Sequence, residues 1–265
     1  MSATASPGRR LAAVGAILAL IVGLVALGVA VGTAVEDSGS NKAAEPGPAA
    51  SVETQDPDGR QKMYDDLAEQ TSRREKGDAL AVGRADAPVV LVEYADYQCG
   101  FCGRFTRETQ PELIEKYVDK GVLRIEFRNF TIYGEDSERA ARASWAAGQQ
   151  GKFWELHDAL YAKSRKGPDL AEDKLVELAR DSGVQDIDRF RRDLKSDAAK
   201  KALDRDQQEG YRLGVQSTPS FLVNGAPIAG AQPTATFTQA IDEAADRAGK
   251  SGAGKDGAGK DGGGK

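Results

Sequence analysis

Asp96-Tyr97-Gln98-Cys99-Gly100-Phe101-Cys102 follows the apolar run Val89-Val90-Leu91-Val92 and precedes a segment that reads as a helix. Cys99 and Cys102 are the two cysteines of a 265-residue chain. Their Cys-x-x-Cys spacing lets two thiols meet across one helical turn and open or close a small disulfide ring. A thiolate at the first position lies at a helix N-terminus, where unpaired N–H groups and the helix dipole favour negative charge. Its pKa then falls below the ordinary thiol value of about 8.5. Two other chemistries use the same spacing. Structural zinc takes about four ligands, usually Cys or His, and the chain adds one histidine, His157. An inert bridge over so short a loop constrains the unfolded chain little. Thiol–disulfide exchange is the reading carried forward, with Cys99 as the attacking sulfur and Cys102 as the resolving one.

Outward from this stretch, Val89 to Tyr94 reads as a strand buried on both faces. A helix is expected from near Cys102 through Leu113 and Tyr117, kinked at Pro111 and ended by Gly121. Leu123, Ile125 and Phe127 alternate with Arg124, Glu126 and Arg128, the pattern of a half-buried strand. From Ser137 to Leu213 the periodicity is helical. Trp145, Phe153, Leu156, Leu160 and Tyr161 suit a packed bundle, followed by stripes at Leu175, Leu178 and Ala179 and at Ile187, Phe190 and Leu194. Thr218-Pro219 then precedes Ser220-Phe221-Leu222-Val223, Asn224-Gly225 signals a hairpin, and a last helix from Thr234 aligns Phe237, Ile241 and Ala244.

Strand, helix, strand, helical block, hairpin and closing helix make an α/β chain. From Ala79 to Ala248 it resembles the DsbA-like branch of the thioredoxin superfamily, a thioredoxin-like fold with an inserted helical domain. The residues that carry the resemblance are Glu93, Cys99-Gly100-Phe101-Cys102, Phe153-Trp154-Glu155-Leu156-His157-Asp158, Thr218-Pro219 and Val223-Asn224-Gly225. The folded domain is accordingly placed at 78–249, with its helical insertion at about 137–213.

The resemblance implies the remaining site residues. Pro219 is expected to be cis and packed against the cysteine pair; without the family context, a trans proline opening a strand is the ordinary reading. The Thr218 backbone is expected to pair with an extended substrate segment and its hydroxyl to contact a sulfur, the plain alternative being a β-forming residue before proline. Glu93 is expected beneath the cysteines, with its pKa raised by burial, taking the proton from Cys102. Its alternative is a glutamate on an exposed edge. Asp96, Tyr97 and Gln98 are assigned loop shaping and no chemistry. His157, Trp145 and Trp154 read as core residues.

The ends of the chain are different in kind. Residues 1–10 carry Arg9 and Arg10, and the uncharged stretch 11–35 is long enough, at about 37 Å as a helix, to span a hydrocarbon core of roughly 30 Å. The expectation is a single-pass membrane anchor with the folded domain extracytoplasmic. A cleaved signal peptide is the rival. Residues 36–77 read as a linker with a short helix between Gln61 and Glu75, and 250–265 as a disordered Gly/Lys/Asp tail. A net charge of −5 without a basic stripe argues against nucleic-acid binding. No metal or bound cofactor is implied.

The expected activity is disulfide formation in exported proteins, with their thiols as substrates and a separate redox partner recycling the pair. A reductase or isomerase of the same fold remains the alternative in kind. Gly100-Phe101 differs from the Pro-His dipeptide of the DsbA prototype, so the pair is expected to be less oxidising. A tethered module that binds clients along Thr218-Pro219 without chemistry is the alternative in class.

Overall fold

The computed structural model describes residues 56–257, with side-chain environments as far as Lys250. The expected membrane segment at 11–35 and residues 258–265 lie outside the described residues. Among the described residues no helix is long and apolar enough to cross a membrane.

The central strand is β2 (Val89–Ala95), and all seven of its residues are buried. After a short β1 (Ala81–Val82), β2 is followed by a helical crossover to β3 (Leu123–Asn129), which runs parallel to it. β4 (Ser220–Val223) pairs antiparallel with the other edge of β2, and β5 (Ala226–Ala229) continues from β4 as a hairpin. The sheet order is β1-β3-β2-β4-β5. The hairpin turns at Asn224 (φ 43°) and Gly225 (φ 80°), the two positive φ values that a tight two-residue turn requires.

The crossover starts with α2 (Gly100–Arg104), passes through a π-type turn (Phe105–Thr109), and continues as α3 (Gln110–Leu113) and a second such turn (Ile114–Val118). The kink expected at Pro111 is thus a change of helical register. Gln110 donates five residues back to Phe105 just before the residue that has no N–H to give. One face of the sheet, with Val89, Leu91, Ile125 and Phe221, packs on Phe105 and Leu113 of this crossover. Phe237 and Ile241 of the closing helix α9 (Thr234–Gly257) complete that layer. α9 continues past Lys250, where the sequence suggested that a disordered tail begins.

The insertion contains α4 (Glu135–Gly148), α5 (Phe153–Tyr161), a 3₁₀ turn (Gly167–Leu170), α6 (Glu172–Asp181), α7 (Ile187–Leu194) and α8 (Asp197–Arg212). α4 lies at its centre, against α5, α7 and α8. Its inward residues Ala140, Ala143, Ala146 and Ala147 are fully buried and small enough for neighbouring helices to approach closely.

Two expectations are corrected by the opposite face of the sheet. The short helix expected between Gln61 and Glu75 starts and ends four residues earlier and is part of the folded unit. Asp56 caps a helix, α1 (Pro57–Thr71), by accepting from Asp58 N–H, and Pro57 occupies the first turn. α1 buries Leu67 and Thr71 and packs with Val90, Val92 and Leu222. It lies so close to the hairpin that a Cβ on Gly225 would stand 1.9 Å from the Tyr64 carbonyl oxygen. The folded unit therefore begins with α1 and not at Asp78.

The second correction concerns β3, which is buried along its whole length and not on one face alone. Its charged residues are covered by the segment after α1 and by α8. Glu126 pairs with Arg124 and Arg128, each at 2.7 Å, and accepts the backbone N–H groups of Arg73 and Arg74. Glu209 accepts from Tyr94, Arg128 and Arg73, and Asp206 pairs with Arg73 at 2.7 Å. Burial by itself raises the Glu126 pKa, but the Arg128 charge and the hydrogen bonds outweigh it and hold the carboxyl down to about 2.

Candidate active site

The end of β2 and the start of α2 position the cysteines. Asp96, fully buried, closes the turn between them. Its Oδ1 accepts from Gln98 N–H (2.7 Å) and Ser137 Oγ (2.6 Å), and its Oδ2 from Ile132 N–H (2.7 Å) and Tyr133 N–H (3.2 Å). Cys99 N–H donates to the Asp96 carbonyl at 3.0 Å. This one carboxylate ties the cysteine turn to the loop between β3 and α4. The sequence alone assigns Asp96 only loop shaping. The signal for its anchoring role is local: an Asp two residues before a backbone donor at a strand end forms an Asx turn. Tyr133, brought to the site by the same carboxylate, stands in an aperiodic loop and has no such signal.

Cys99 occupies the N-cap of α2, and its Sγ accepts from Cys102 N–H at 3.4 Å. Both cysteines are free thiols and both are buried, Cys99 being 4% exposed. Pairing of β2 with β4 sets Tyr94 opposite Ser220, so the residues just before β4 reach the turn just after β2. There Cys99 Sγ donates to the Thr218 carbonyl at 3.2 Å, and the Thr218–Pro219 peptide is cis.

The two sulfurs differ electrostatically. Cys99 is held down to about 6, first by the hydrogen bond from the Cys102 thiol, against the cost of burial, then by the Thr218 side chain and the N–H groups of Cys102 and Phe101. The helix N-terminus contributes as anticipated, but the neighbouring thiol contributes more. Burial pushes Cys102 well above the ordinary thiol range, and the hydrogen bond and charge of Cys99 reinforce this. At neutral pH the site holds a thiolate at Cys99 and a thiol at Cys102.

Glu93 lies within β2, paired in register with Phe127 and Phe221, and is fully buried. Neither carboxyl oxygen has a hydrogen-bond partner. Burial, then the negative charge at Cys99, raises its pKa to about 8. His157 is a core residue here. Tyr97, Phe127, Phe153, Trp154 and Tyr161 surround its ring, its Nδ1 meets the Tyr97 hydroxyl at 3.4 Å, and burial lowers its pKa to about 3. Trp145 and Trp154 pack against the same cluster.

An open groove of about 740 Å³ borders Cys99. Phe101 (64% exposed) and Tyr133 (54% exposed) line it together with Arg104, Arg107, Glu108 and Lys166.

The thioredoxin family model matches residues 75–243. The chain belongs to the thioredoxin family. Within that family it is similar to the probable disulfide bond formation protein D of Bacillus cereus, 34% identical over 150 residues that cover 55% of this chain and 69% of the relative. The oxidised BdbD of Bacillus subtilis has the same fold, with a TM-score of 0.59 and 24% identity over 64% of this chain and 94% of that one. A thioredoxin-like oxidoreductase from Silicibacter pomeroyi superposes with a TM-score of 0.55 at 30% identity, covering 63% of this chain and 96% of that one. The thioredoxin-like fold with a helical insertion and the DsbA-like arrangement expected from the sequence are both borne out. The chain is a thiol–disulfide oxidoreductase.

Proposed function

We propose that the protein is an extracytoplasmic disulfide oxidase of exported proteins, tethered to the cell membrane through residues 11–35. The observation that carries the reading is the split between the two sulfurs, with Cys99 at about 6 and Cys102 well above the usual thiol range. A stabilised thiolate stabilises the reduced pair and makes the disulfide a better oxidant. For comparison, the attacking thiol titrates near ~7 in thioredoxin and ~3.5 in DsbA. The corresponding potentials are about −270 mV and about −120 mV, and the downward shift at Cys99 favours the oxidising direction.

In the oxidising direction a client thiolate attacks Cys99 Sγ of the disulfide. The S–S bond breaks, its electron pair leaves on Cys102, and a mixed client–Cys99 disulfide forms. A second client thiolate then attacks the client sulfur of that intermediate. Cys99 leaves as a thiolate with the electron pair, and the client retains the new disulfide. Glu93 exchanges a proton with Cys102, the carboxyl being protonated when Cys102 leaves as a thiolate and accepting a proton when the Cys102 thiol attacks. Thr218 and Pro219 present an edge along which the client backbone adds as a strand. A separate redox partner reoxidises the pair. The relatives named for disulfide bond formation support this direction.

Equilibration of the Cys99–Cys102 pair with glutathione tests the direction, combined with alkylation trapping of its thiol state in cells. A potential clearly above about −270 mV and a pair trapped mainly as disulfide are expected. A thioredoxin-like potential with the pair trapped reduced would make the protein a reductase.

A further inference from the structure

The groove beside Cys99 has a charge pattern that sulfur chemistry does not require. Of its three cations, Arg104 is neutralised by Glu108 at 2.8 Å. Among the described residues, Arg107 and Lys166 have no acidic partner. Arg107 is not loose. Its Nη1 donates to the Tyr161 carbonyl at the end of α5, and its guanidinium lies over Gly103. A Cβ at position 103 would stand 2.7 Å from that nitrogen, so glycine allows the guanidinium to rest against the active-site helix. A cation fixed in this way loses little side-chain freedom on meeting an anion. Phe101 and Tyr133 expose aromatic faces along the same groove.

We propose that Arg107 and Lys166 make the groove selective for client segments that carry an aspartate or glutamate close to the reacting cysteine. The occupant is an extended acidic stretch of a client chain, with the carboxylate against the two unpaired cations and a neighbouring apolar side chain against Phe101 and Tyr133. Complementary charge at the rim of a site speeds encounter and discriminates among partners more than it adds affinity. The inference rests on thiol exchange at Cys99 in the proposed oxidising direction.

The test uses the oxidised full-length protein and short dithiol peptides that differ at one position beside the attacking cysteine, which is Glu, Gln or Lys. Loss of the Cys99–Cys102 disulfide gives the rate. Each rate is divided by that peptide's rate with a small uncharged disulfide, which removes the effect of the neighbouring charge on the peptide thiol. The Glu peptide is expected to exceed the Gln peptide by roughly threefold to tenfold at about 0.01 M salt, and to approach it near 1 M, where screening is nearly complete. Arg107→Gln and Lys166→Gln should each reduce the ratio, and Lys166→Glu should shift preference towards the Lys peptide. Ratios taken within one variant do not depend on how much of it is folded. Equal rates for the three peptides, or a preference that survives both neutral variants, overturn the proposal. If no peptide is oxidised although the disulfide is intact, client oxidation itself is refuted and the proposal falls with it.

Discussion

Cys99 Sγ lies 3.2 Å from the carbonyl oxygen of Thr218, a residue 119 positions away in the chain. The contact follows from the pairing of β2 with β4, which brings the turn after one strand to the turn before the other. Only one of the two sulfurs has this neighbour, which accepts from its thiol form, and the same sulfur is the one whose thiolate is favoured by the Cys102 thiol and the N–H groups of Cys102 and Phe101.

Alkylation of the reduced protein should therefore modify Cys99 and spare Cys102. The rate should rise as pH passes through about 6, where Cys99 loses its proton, and then level off. Because the Cys102 thiol is the largest contributor to that depression, Cys102→Ala should move the midpoint upwards, and Cys102→Ser, which can still donate, should move it less. Iodoacetamide kinetics across the pH range measure both. In client assays Cys99→Ser should reduce exchange to the protein-free rate, and Cys102→Ser, offered a client disulfide that its Cys99 thiolate opens, should accumulate a mixed disulfide visible on non-reducing gels.

Glu93 predicts an opposite pH effect, on stability. Its pKa is raised in the folded state, to about 8 from an unfolded value of about 4.3. The folded state thus binds a proton that the unfolded state has released. Stability is full below about pH 4.3 and is lost as pH rises towards about 8. Glu93→Gln should remove that slope and leave the variant more stable at neutral pH, by on the order of a few kcal/mol. It should also slow release of mixed disulfides by Cys102. Urea unfolding of wild type and variant at several pH values reads the first effect, and single-turnover exchange reads the second. A variant of unchanged or lower stability at neutral pH refutes the buried, protonated carboxyl.

The central features of the fold and the sulfur chemistry were legible because they are written in local pattern. A continuous apolar run marks β2, an alternating one marks β3, Asn-Gly marks the hairpin, and two cysteines three apart mark the site. The environment of the charges was not legible. Arg124, Glu126 and Arg128 alternate with apolar residues as they would on a wet strand. Their partners Arg73 and Glu209, and the Asp206 that pairs with Arg73, come from segments far apart in the chain, and no periodicity reports that pairing. The sequence pattern places the start of α1 too late for a related reason. Its start is signalled by Asp56-Pro57, but its apolar face is narrow, with Leu67 and Thr71 its buried residues.

The ion-pair network makes a stability prediction of its own. Arg128→Met leaves Glu126 and Glu209 without a shared cation and should cost about 3–5 kcal/mol, the usual penalty for removing one partner of a buried pair. The depressed carboxyl of Glu126 contributes stability above about pH 4.3, and that contribution is lost as pH falls through about 2. Acid unfolding followed by circular dichroism should show wild type losing stability across this window and Glu126→Gln, already destabilised, losing less.

Asp96 gives the most direct link between the scaffold and the rate. It accepts hydrogen bonds from three backbone N–H groups and one hydroxyl, in the cysteine turn, the loop after β3 and the start of α4. Asp96→Ala leaves all four donors without that acceptor, at about 1–3 kcal/mol for each one that water cannot reach. Asp96→Asn preserves the size of the side chain but presents a single acceptor oxygen, so it cannot serve both loops at once. The Ala variant should lower stability by a few kcal/mol, and the Asn variant by less. Both should lower kcat/KM for client oxidation more than they lower the rate with a small disulfide, because the small reagent needs only Cys99 whereas a client also needs Tyr133 in place across the groove. If client and small-disulfide rates fall in equal proportion, Asp96 holds the cysteine turn alone and the second loop has no part in client binding.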